Sequence, residues 1–416
     1  MMNLIGKIKK NFTPQWVFFF FVVLIFKLLF YFRIYHFIPQ FGEDSYTYMA
    51  AAQKLVHFQI DEYRTPGFPI YLGVLKLIFA KYFAHSVVFA NIIISCISYF
   101  FVQKIIYKFC TKRYLFVFFV IIDLIIFNYD YFILTESLCK SLVIYLIYLY
   151  LNNRSTIYIQ LILILIKPIF LILFIFNILE IVILKNYTKI IHQVLILILL
   201  VGYSLIFKSN FGYWGISKVN DYNKFSQLIH FKLYENNDFQ LFSKKMNQYY
   251  LDKSNTKSIE NFETIGLNKV FKDSVSYKYA YANLHLYIKY TMEKQEYIFL
   301  SLQLRKFIFN INKEKLINIY PFNIKIFSFG YTLIFLLLLS LFLLLRFYLL
   351  KLNDDFVEKM ALFFLLFFLM TMAIVFWGTG NEYSRLLMPF SPFLFITFIL
   401  IFDKFSISNL NSPNQP

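Results

Sequence analysis

Apolar residues in this chain form long uninterrupted runs, and short polar stretches separate them. Runs such as QWVFFFFVVLIFKLLFYF and YTLIFLLLLSLFLLL are long enough to cross the roughly 30 Å hydrocarbon core of a bilayer as helices. The pattern therefore predicts an all-α polytopic membrane protein with about ten transmembrane helices. We expect spans near residues 15–37, 85–107, 114–130, 137–151, two within 156–184, and then 190–207, 323–350, 357–377 and 386–404.

Basic residues set the orientation of these spans. Lys7, Lys9 and Lys10 precede the first span, which puts the N-terminus in the cytoplasm by the positive-inside rule. The apolar run at residues 68–83 is short, and if it crossed the membrane the basic cluster at residues 108–113 would lie outside. We therefore predict that this run is an amphipathic juxtamembrane helix on the membrane surface.

This register divides the chain into three regions. Residues 1–207 form an N-terminal transmembrane module with a first external loop at residues 38–84, and residues 208–322 form a larger periplasmic segment. Residues 323–416 supply the C-terminal transmembrane helices and a short cytoplasmic tail.

Composition agrees with the membrane class and argues against several functions. The chain is 59% hydrophobic and only 15% charged, whereas about a quarter of the residues in a soluble domain are charged. The net charge of +18 fits cytoplasmic loops rich in lysine and arginine, so no nucleic-acid partner is expected. The three cysteines have no metal-ligand spacing, and there is no P-loop, GxGxxG or GxSxG motif.

The stretch FGEDSYTY, residues 41–48, follows the first span and contains two adjacent carboxylates, Glu43 and Asp44. Gly42 permits a turn, and Asp44 is expected to cap a helix that runs from Ser45 to Val56. A cap and a favourable helix-dipole contact explain these acids as well as a function does. The functional interpretation is a general base beside the membrane, which takes a proton from an attacking hydroxyl.

Further motifs place charges at the same predicted external face. Each has a simple structural explanation, such as a helix start for Glu136, snorkelling for Lys167 or an exposed ion pair for Glu382 and Arg385. Their common side favours a site, because ionisable groups near a bilayer are costly and tend to mark function. The motifs are RTPGFP with Arg64, ILTES with Glu136, IKP with Lys167, and NEYSRLLMPF with Glu382, Tyr383 and Arg385.

Taken in order, EDSYTYMAAA, RTPGFP, ILTES, IKP and NEYSRLLMPF resemble the motifs of the GT-C superfamily of membrane glycosyltransferases. The resemblance is to the bacterial branch related to protein O-mannosyltransferases and aminoarabinose transferases, and it covers most of residues 1–210 and 323–404. Here EYSR replaces the more usual contiguous Arg-Tyr. The acidic position is doubled, and Asp44 matches the family pattern better than Glu43.

The resemblance implies an inverting transfer of a sugar from a polyprenyl-phosphate donor to an acceptor hydroxyl on a lipid, glycan or protein. It implies a bacterial cytoplasmic membrane with the active site facing the periplasm. No cofactor is certain, and a divalent metal stays an open alternative. In the implied site Asp44 or Glu43 is the base and Glu136 supports the acceptor side, while Arg64, Lys167 and Arg385 hold the donor phosphate. Glu382, which fixes the geometry of Arg385, and Tyr383 belong to the same donor-binding site.

Two other functions stay open at this point. One is a transporter or flippase, and the other is an O-antigen polymerase or ligase that acts on lipid-linked glycans. Transporters usually contain two repeated halves and ionisable residues near the bilayer midplane. The chain has no internal repeat, and apart from Lys27 the sequence suggests few charges in the middle of spans.

Overall fold

A computed structural model describes residues 14–126, 129–184, 189–212, 214–219, 317–319, 324–326, 338–344, 356–378 and 386–410. Within these residues the chain is largely helical, with one short antiparallel hairpin. The helices of the first half are α1 (Pro14–Ile34), α2 (Glu43–Val56), α3 (Gly67–Phe79), α4 (Phe83–Phe109), α5 (Leu115–Ile126), α6 (Thr135–Leu151), α7 (Ile157–Ile166), α8 (Ile172–Leu184) and α9 (Lys189–Phe211).

Short 3₁₀ turns at Ala80–Tyr82 and Pro168–Leu171 separate α3 from α4 and α7 from α8. Further along, β1 (Ile317–Ile319) pairs with β2 (Ile324–Ile326), with Ile317 opposite Ile326. Residues 338–344 are helical. The chain continues with α10 (Phe356–Gly378), a 3₁₀ turn at Met388–Phe390, and α11 (Ser391–Leu410).

Among the described residues, four stretches have the length and apolar composition to cross a membrane: Trp16–Ile34, Gly67–Phe109, Ile190–Phe211 and Phe356–Val375. The predicted helical membrane protein is therefore confirmed in its general form, while the number of ten spans stays a prediction. The stretch Gly67–Phe109 has 43 residues, and a straight helix of that length would extend about 65 Å. The break at Ala80, where φ is +43°, divides it into α3 and α4, close to the predicted boundary.

One face of α1 exposes large apolar side chains at helical spacing, among them Phe18, Phe21, Ile25 and Leu29. Such a continuous apolar surface is unfavourable in water but suits contact with lipid chains. The opposite side of α1 packs against α4, which also contacts α5 and α6. The core therefore lies between these helices, and α6 additionally contacts α11 and the Met388–Phe390 turn.

Charged side chains lie inside this packing. Lys27 of α1 is fully buried, forms an ion pair with Asp130, and donates a hydrogen bond to Ser95 Oγ at 3.0 Å. The other carboxylate oxygen of Asp130 accepts a hydrogen bond from Ser137 at the start of α6. Lys27 thereby connects α1 to α4 and to the segment that leads into α6.

A second buried ion pair lies near the first. Lys140 Nζ is 2.8 Å from Asp123 Oδ2, and the Tyr99 hydroxyl donates to the same oxygen at 2.6 Å. The sequence suggested few such charges besides Lys27, whereas the structure buries Asp123, Asp130 and Lys140 as well. Their burial is tolerable because each charge has an opposite charge beside it.

The chain divides into two compact units. One consists of Met1–Ser217, Leu316–Met372 and Ser384–Pro416, and the other of Lys218–Lys315 and Ala373–Tyr383. The segment expected to be periplasmic, residues 208–322, falls mostly outside the described residues. The predicted region boundaries at residues 207 and 322 therefore stay predictions, and the candidate site lies in the first unit.

Candidate functional site

Asp44 lies in the first turn of α2. The backbone N–H of Gly42 donates to Ser45 Oγ at 2.9 Å, and the Ser45 N–H donates to the Gly42 carbonyl at 3.0 Å. The prediction that Asp44 caps this helix is therefore wrong, because Gly42 occupies the cap position and Ser45 provides the capping hydroxyl. The carboxylate of Asp44 is directed instead to Arg64. Glu43 begins α2, and its side chain lies outside the described part of the structure.

The turn before α2 is attached to the segment that precedes α6. Gln40 N–H donates to the Tyr131 carbonyl at 2.9 Å, and Ile133 N–H donates to the Gln40 carbonyl at 3.0 Å. The Ser45 hydroxyl adds a bond of 2.8 Å to the carbonyl of Ile133. These bonds hold the start of α2, which carries Asp44, beside the start of α6.

Arg64 is held in a turn shaped by Asp61, whose Oδ1 accepts the backbone N–H groups of Tyr63 and Arg64, both at 2.9 Å. The guanidinium forms an ion pair with Asp44, and Arg64 Nε donates to Thr47 Oγ1 at 2.9 Å. Its centre also lies 4.3 Å from the centroid of the Tyr48 ring, a distance at which a cation and an aromatic face attract each other.

A second ion pair joins Glu136 to Lys167. Glu136 lies in the first turn of α6, as predicted. Lys167 lies between α7 and the turn that Pro168 begins, so the predicted Lys-Pro break is confirmed. Lys167 Nζ is 2.9 Å from Glu136 Oε1, and the two side chains are only 11% and 2% exposed. Lys167 is therefore not a snorkelling residue that extends into solvent.

The turn that carries Arg64 contacts the end of α7, directly before Lys167. Thr65 Oγ1 donates to the Ile166 carbonyl at 3.2 Å. Gly67 comes so close that an added Cβ atom would be 2.7 Å from backbone atoms of Leu165 and Ile166. The Asp44–Arg64 pair and the Glu136–Lys167 pair are thus brought to adjacent positions.

Tyr48 lies where the two ion pairs meet. The side chain is 6% exposed, and its ring packs edge-on against Phe68 at a centroid distance of 5.0 Å. Burial raises the pKa of the Tyr48 hydroxyl, and the charges of Arg64, Asp44, Lys167 and Glu136 also act on that pKa. Of these four charged groups, Arg64 makes the direct contact with the Tyr48 ring.

The close approach at Gly67 can be tested by substitution. Gly67→Ala should lower the free energy of unfolding by about 1–3 kcal/mol, because the methyl group meets backbone atoms that cannot rotate away. Gly73→Ala is the matched control, since an added Cβ there meets nothing within 4 Å and alanine favours a helix by up to about 1 kcal/mol. Thermal unfolding of both variants in the same detergent measures the difference. Equal melting temperatures would contradict the close approach.

The structure brings together four of the eight residues that the sequence suggested: Asp44, Arg64, Glu136 and Lys167. Glu382, Tyr383 and Arg385 lie outside the described residues. The sequence analysis did not identify Tyr48, although it follows Asp44 by four positions and so shares its helix face. Within the described ranges, no group of three or more His, Cys, Asp or Glu side chains could hold a metal ion.

The arrangement combines two chemical abilities. The side chain of Asp44 is 30% exposed, the largest exposed fraction among the four charged residues of the two ion pairs. A carboxylate in this position can accept a proton from a hydroxyl. Arg64 and Lys167 are cations that bind phosphate well, Arg64 through a planar fork and Lys167 as a compact charge. The two ion pairs compensate the charges of all four groups.

In comparisons with known proteins, no protein-family model, no curated protein and no solved structure shows significant similarity to this chain.

Proposed function

We propose that the protein is a membrane glycosyltransferase that transfers a sugar from a polyprenyl-phosphate donor to an acceptor hydroxyl, with inversion. The acceptor is a lipid, glycan or protein. The observation that carries the proposal is the meeting of the Asp44–Arg64 and Glu136–Lys167 pairs around Tyr48. This combination of a partly exposed carboxylate with two cations is what such a transfer requires.

In the proposed reaction Arg64 and Lys167 bind the phosphate of the donor. Negative charge accumulates on this phosphate as the bond between the anomeric carbon and the phosphate oxygen breaks, and cations stabilise it. Charge-assisted bonds from a guanidinium to phosphate are strong and geometrically specific. Arg385, Glu382 and Tyr383 complete this donor site on the resemblance of NEYSR to the family motif.

Asp44 acts as the general base. When Arg64 binds the donor phosphate, the carboxylate of Asp44 becomes available to the acceptor hydroxyl and takes its proton. The acceptor oxygen forms the new bond to the anomeric carbon, and polyprenyl monophosphate leaves. Inversion requires base and leaving group on opposite faces of the sugar, as in inverting glycoside hydrolysis.

Glu136 is assigned a supporting role. The resemblance suggests that it supports the acceptor side, but it is 2% exposed and bonded to Lys167 at 2.9 Å. These contacts favour a role in orienting Lys167 for the donor phosphate. A buried carboxylate with a cation partner also avoids the cost of an isolated charge.

The proposed location is the bacterial cytoplasmic membrane, with the site at its outer face. A lipid-linked donor explains why the charged groups follow apolar helices directly. The basic cluster at residues 108–113 supports this orientation by the positive-inside rule, since α4 separates it from the candidate site.

A transporter or flippase is the second candidate, and one observation favours it. Two buried ion pairs, Lys27–Asp130 and Lys140–Asp123, place Lys27, Lys140 and Asp123 inside helices, and ionisable residues within transporter helices mark transport pathways. An O-antigen polymerase or ligase has no comparable supporting observation in the described residues.

A transfer assay distinguishes these candidates. The purified protein is reconstituted in vesicles with radiolabelled polyprenyl-phosphate hexose or aminopentose and a membrane-extract acceptor. We expect the label to move to the acceptor with inverted anomeric configuration and equimolar release of polyprenyl phosphate. Passage of the labelled lipid between leaflets without any transfer would favour the flippase and contradict the proposal.

A further inference from the structure

The hydroxyl of Tyr48 is a polar group in the candidate site that makes no hydrogen bond with the described residues. The side chain as a whole is only 6% exposed, while its hydroxyl oxygen keeps some accessible surface. Its ring, in contrast, is well packed, between the Arg64 guanidinium at 4.3 Å and Phe68 at 5.0 Å. The ring contacts hold the hydroxyl in one place without satisfying it.

Tyr48 lies close in the fold to residues of both ion pairs. Tyr48 follows Asp44 by four residues on α2, so the two side chains project from the same face of the helix. The turn of Arg64 lies against Ile166, next to Lys167. Tyr48 therefore lies beside Arg64, whose turn lies beside Lys167.

The charge of the surroundings indicates what kind of ligand fits. The Arg64 guanidinium stacks on the ring, and burial raises the pKa of the phenol, so it stays neutral and keeps its proton at physiological pH. A neutral O–H can donate to an anion without adding positive charge. When a phosphate binds, its oxygens would replace the carboxylates of Asp44 and Glu136 as the partners of Arg64 and Lys167.

We infer that the Tyr48 hydroxyl donates a hydrogen bond to an oxygen of the phosphate held between Arg64 and Lys167. Tyr48 is thus a ligand-binding residue of the donor site, and the inference rests on the proposed function for the nature of that phosphate. The ligand chemistry is a phosphate monoester or diester, which a polyprenyl lipid or a free phosphate can present. In the structure the carboxylates of Asp44 and Glu136 accept bonds from Arg64 and Lys167.

Binding of polyprenyl phosphate, the expected product, tests this directly and without any transfer reaction. The protein is placed in nanodiscs of phosphatidylcholine, and the dissociation constant for added polyprenyl phosphate is measured by native mass spectrometry. A parallel titration uses inorganic phosphate, to separate a lipid-linked from a free ligand. We expect wild-type protein to bind the lipid phosphate and to bind inorganic phosphate far more weakly.

Tyr48→Phe removes only the hydroxyl and keeps the ring contacts with Arg64 and Phe68. A lost hydrogen bond to a charged group corresponds to about a tenfold or larger increase in the dissociation constant. Tyr46→Phe is the matched control on the same helix, because Tyr46 is 63% exposed and its ring stacks on Phe41. Its affinity should equal that of wild type.

A second replacement separates a binding role from a structural one. 4-Aminophenylalanine at position 48 restores a neutral donor and should bring the dissociation constant back to within about threefold of wild type. Equal binding by wild-type and Tyr48→Phe proteins would overturn the inference and leave the proposed function standing. Absence of any phosphate binding by the wild type would overturn the lipid-donor function together with the inference. Tighter binding of inorganic phosphate than of polyprenyl phosphate would overturn the lipid-donor function alone.

Discussion

Asp44→Asn should reduce sugar transfer by about 100-fold or more while the protein still inserts and folds. A positioned general base contributes about 10²–10⁴-fold to a rate, and an amide cannot take the proton of the acceptor hydroxyl. The amide oxygen can still accept a hydrogen bond from Arg64, so the turn that Arg64 forms with Thr47 and Asp61 should persist. The measurement is the transfer assay with radiolabelled donor, together with the melting temperature in detergent.

Glu43→Gln is the matched control for this experiment. It makes the same chemical change one residue earlier, in the first turn of the same helix. We expect this variant to keep at least about a third of the wild-type rate, because the contact of Asp44 with Arg64 is retained and the base stays in place. A rate lost in Glu43→Gln but kept in Asp44→Asn would assign the base to Glu43, and full activity in both variants would exclude an acidic base at this position.

Binding should separate the roles of the acid and the cations. Asp44→Asn is expected to bind polyprenyl phosphate at least as well as wild type, because the carboxylate competes with the phosphate for Arg64. The loss in rate would then belong to the proton transfer and not to donor binding. A parallel loss of binding and rate would instead indicate that Asp44 mainly holds Arg64 in place.

Lys27→Met should lower the free energy of unfolding by about 3–5 kcal/mol, the usual effect of removing one partner from a buried ion pair. Asp130 would then be buried without its lysine, although both side chains are fully enclosed in the wild type. Met has a similar volume and shape, so packing changes little. Unfolding titrations in mixed micelles measure the free energy.

Two further variants make this result specific. The double variant Lys27→Met/Asp130→Asn removes both charges and should recover most of the lost stability. Lys54→Met breaks an ion pair with Asp61 in which the lysine is 48% exposed, and its effect should stay below about 1 kcal/mol. If the double variant were as unstable as Lys27→Met, the charge pairing would not be the cause.

The buried pairs also influence the candidate site through the backbone. Asp130 is followed immediately by Tyr131, whose carbonyl accepts the Gln40 N–H, and the Tyr131 hydroxyl donates to the Lys27 carbonyl at 3.0 Å. The segment that holds the start of α2 is therefore itself held by the buried charges. Lys27→Met is accordingly expected to weaken donor binding as well. The loss in binding free energy should be smaller than the loss in the free energy of unfolding.

Much of the helical organisation could be predicted from local patterns. The start of α6 at Thr135 and the break at Lys167-Pro168 agree with the expectations, because helix starts and proline breaks depend on neighbouring backbone groups. The cap of α2 was predicted wrongly. Gly42, Asp44 and Ser45 are all residues that occur at helix starts, and Ser45 bonds both Gly42 and the distant Ile133 carbonyl.

The membrane class follows from the sequence alone, because the length and apolarity of the runs are properties of each run. The sequence also indicated which charged residues follow the apolar runs, including Asp44, Arg64, Glu136 and Lys167. Only the tertiary structure decided the partners, since Arg64 and Asp44 are 20 residues apart, Lys167 and Glu136 are 31 apart, and Lys27 and Asp130 are 103 apart. The ring contacts of Tyr48 could not be predicted, nor could the lack of a hydrogen bond from its hydroxyl to the described residues, because both arise only when α2, the Arg64 turn and the end of α7 pack together.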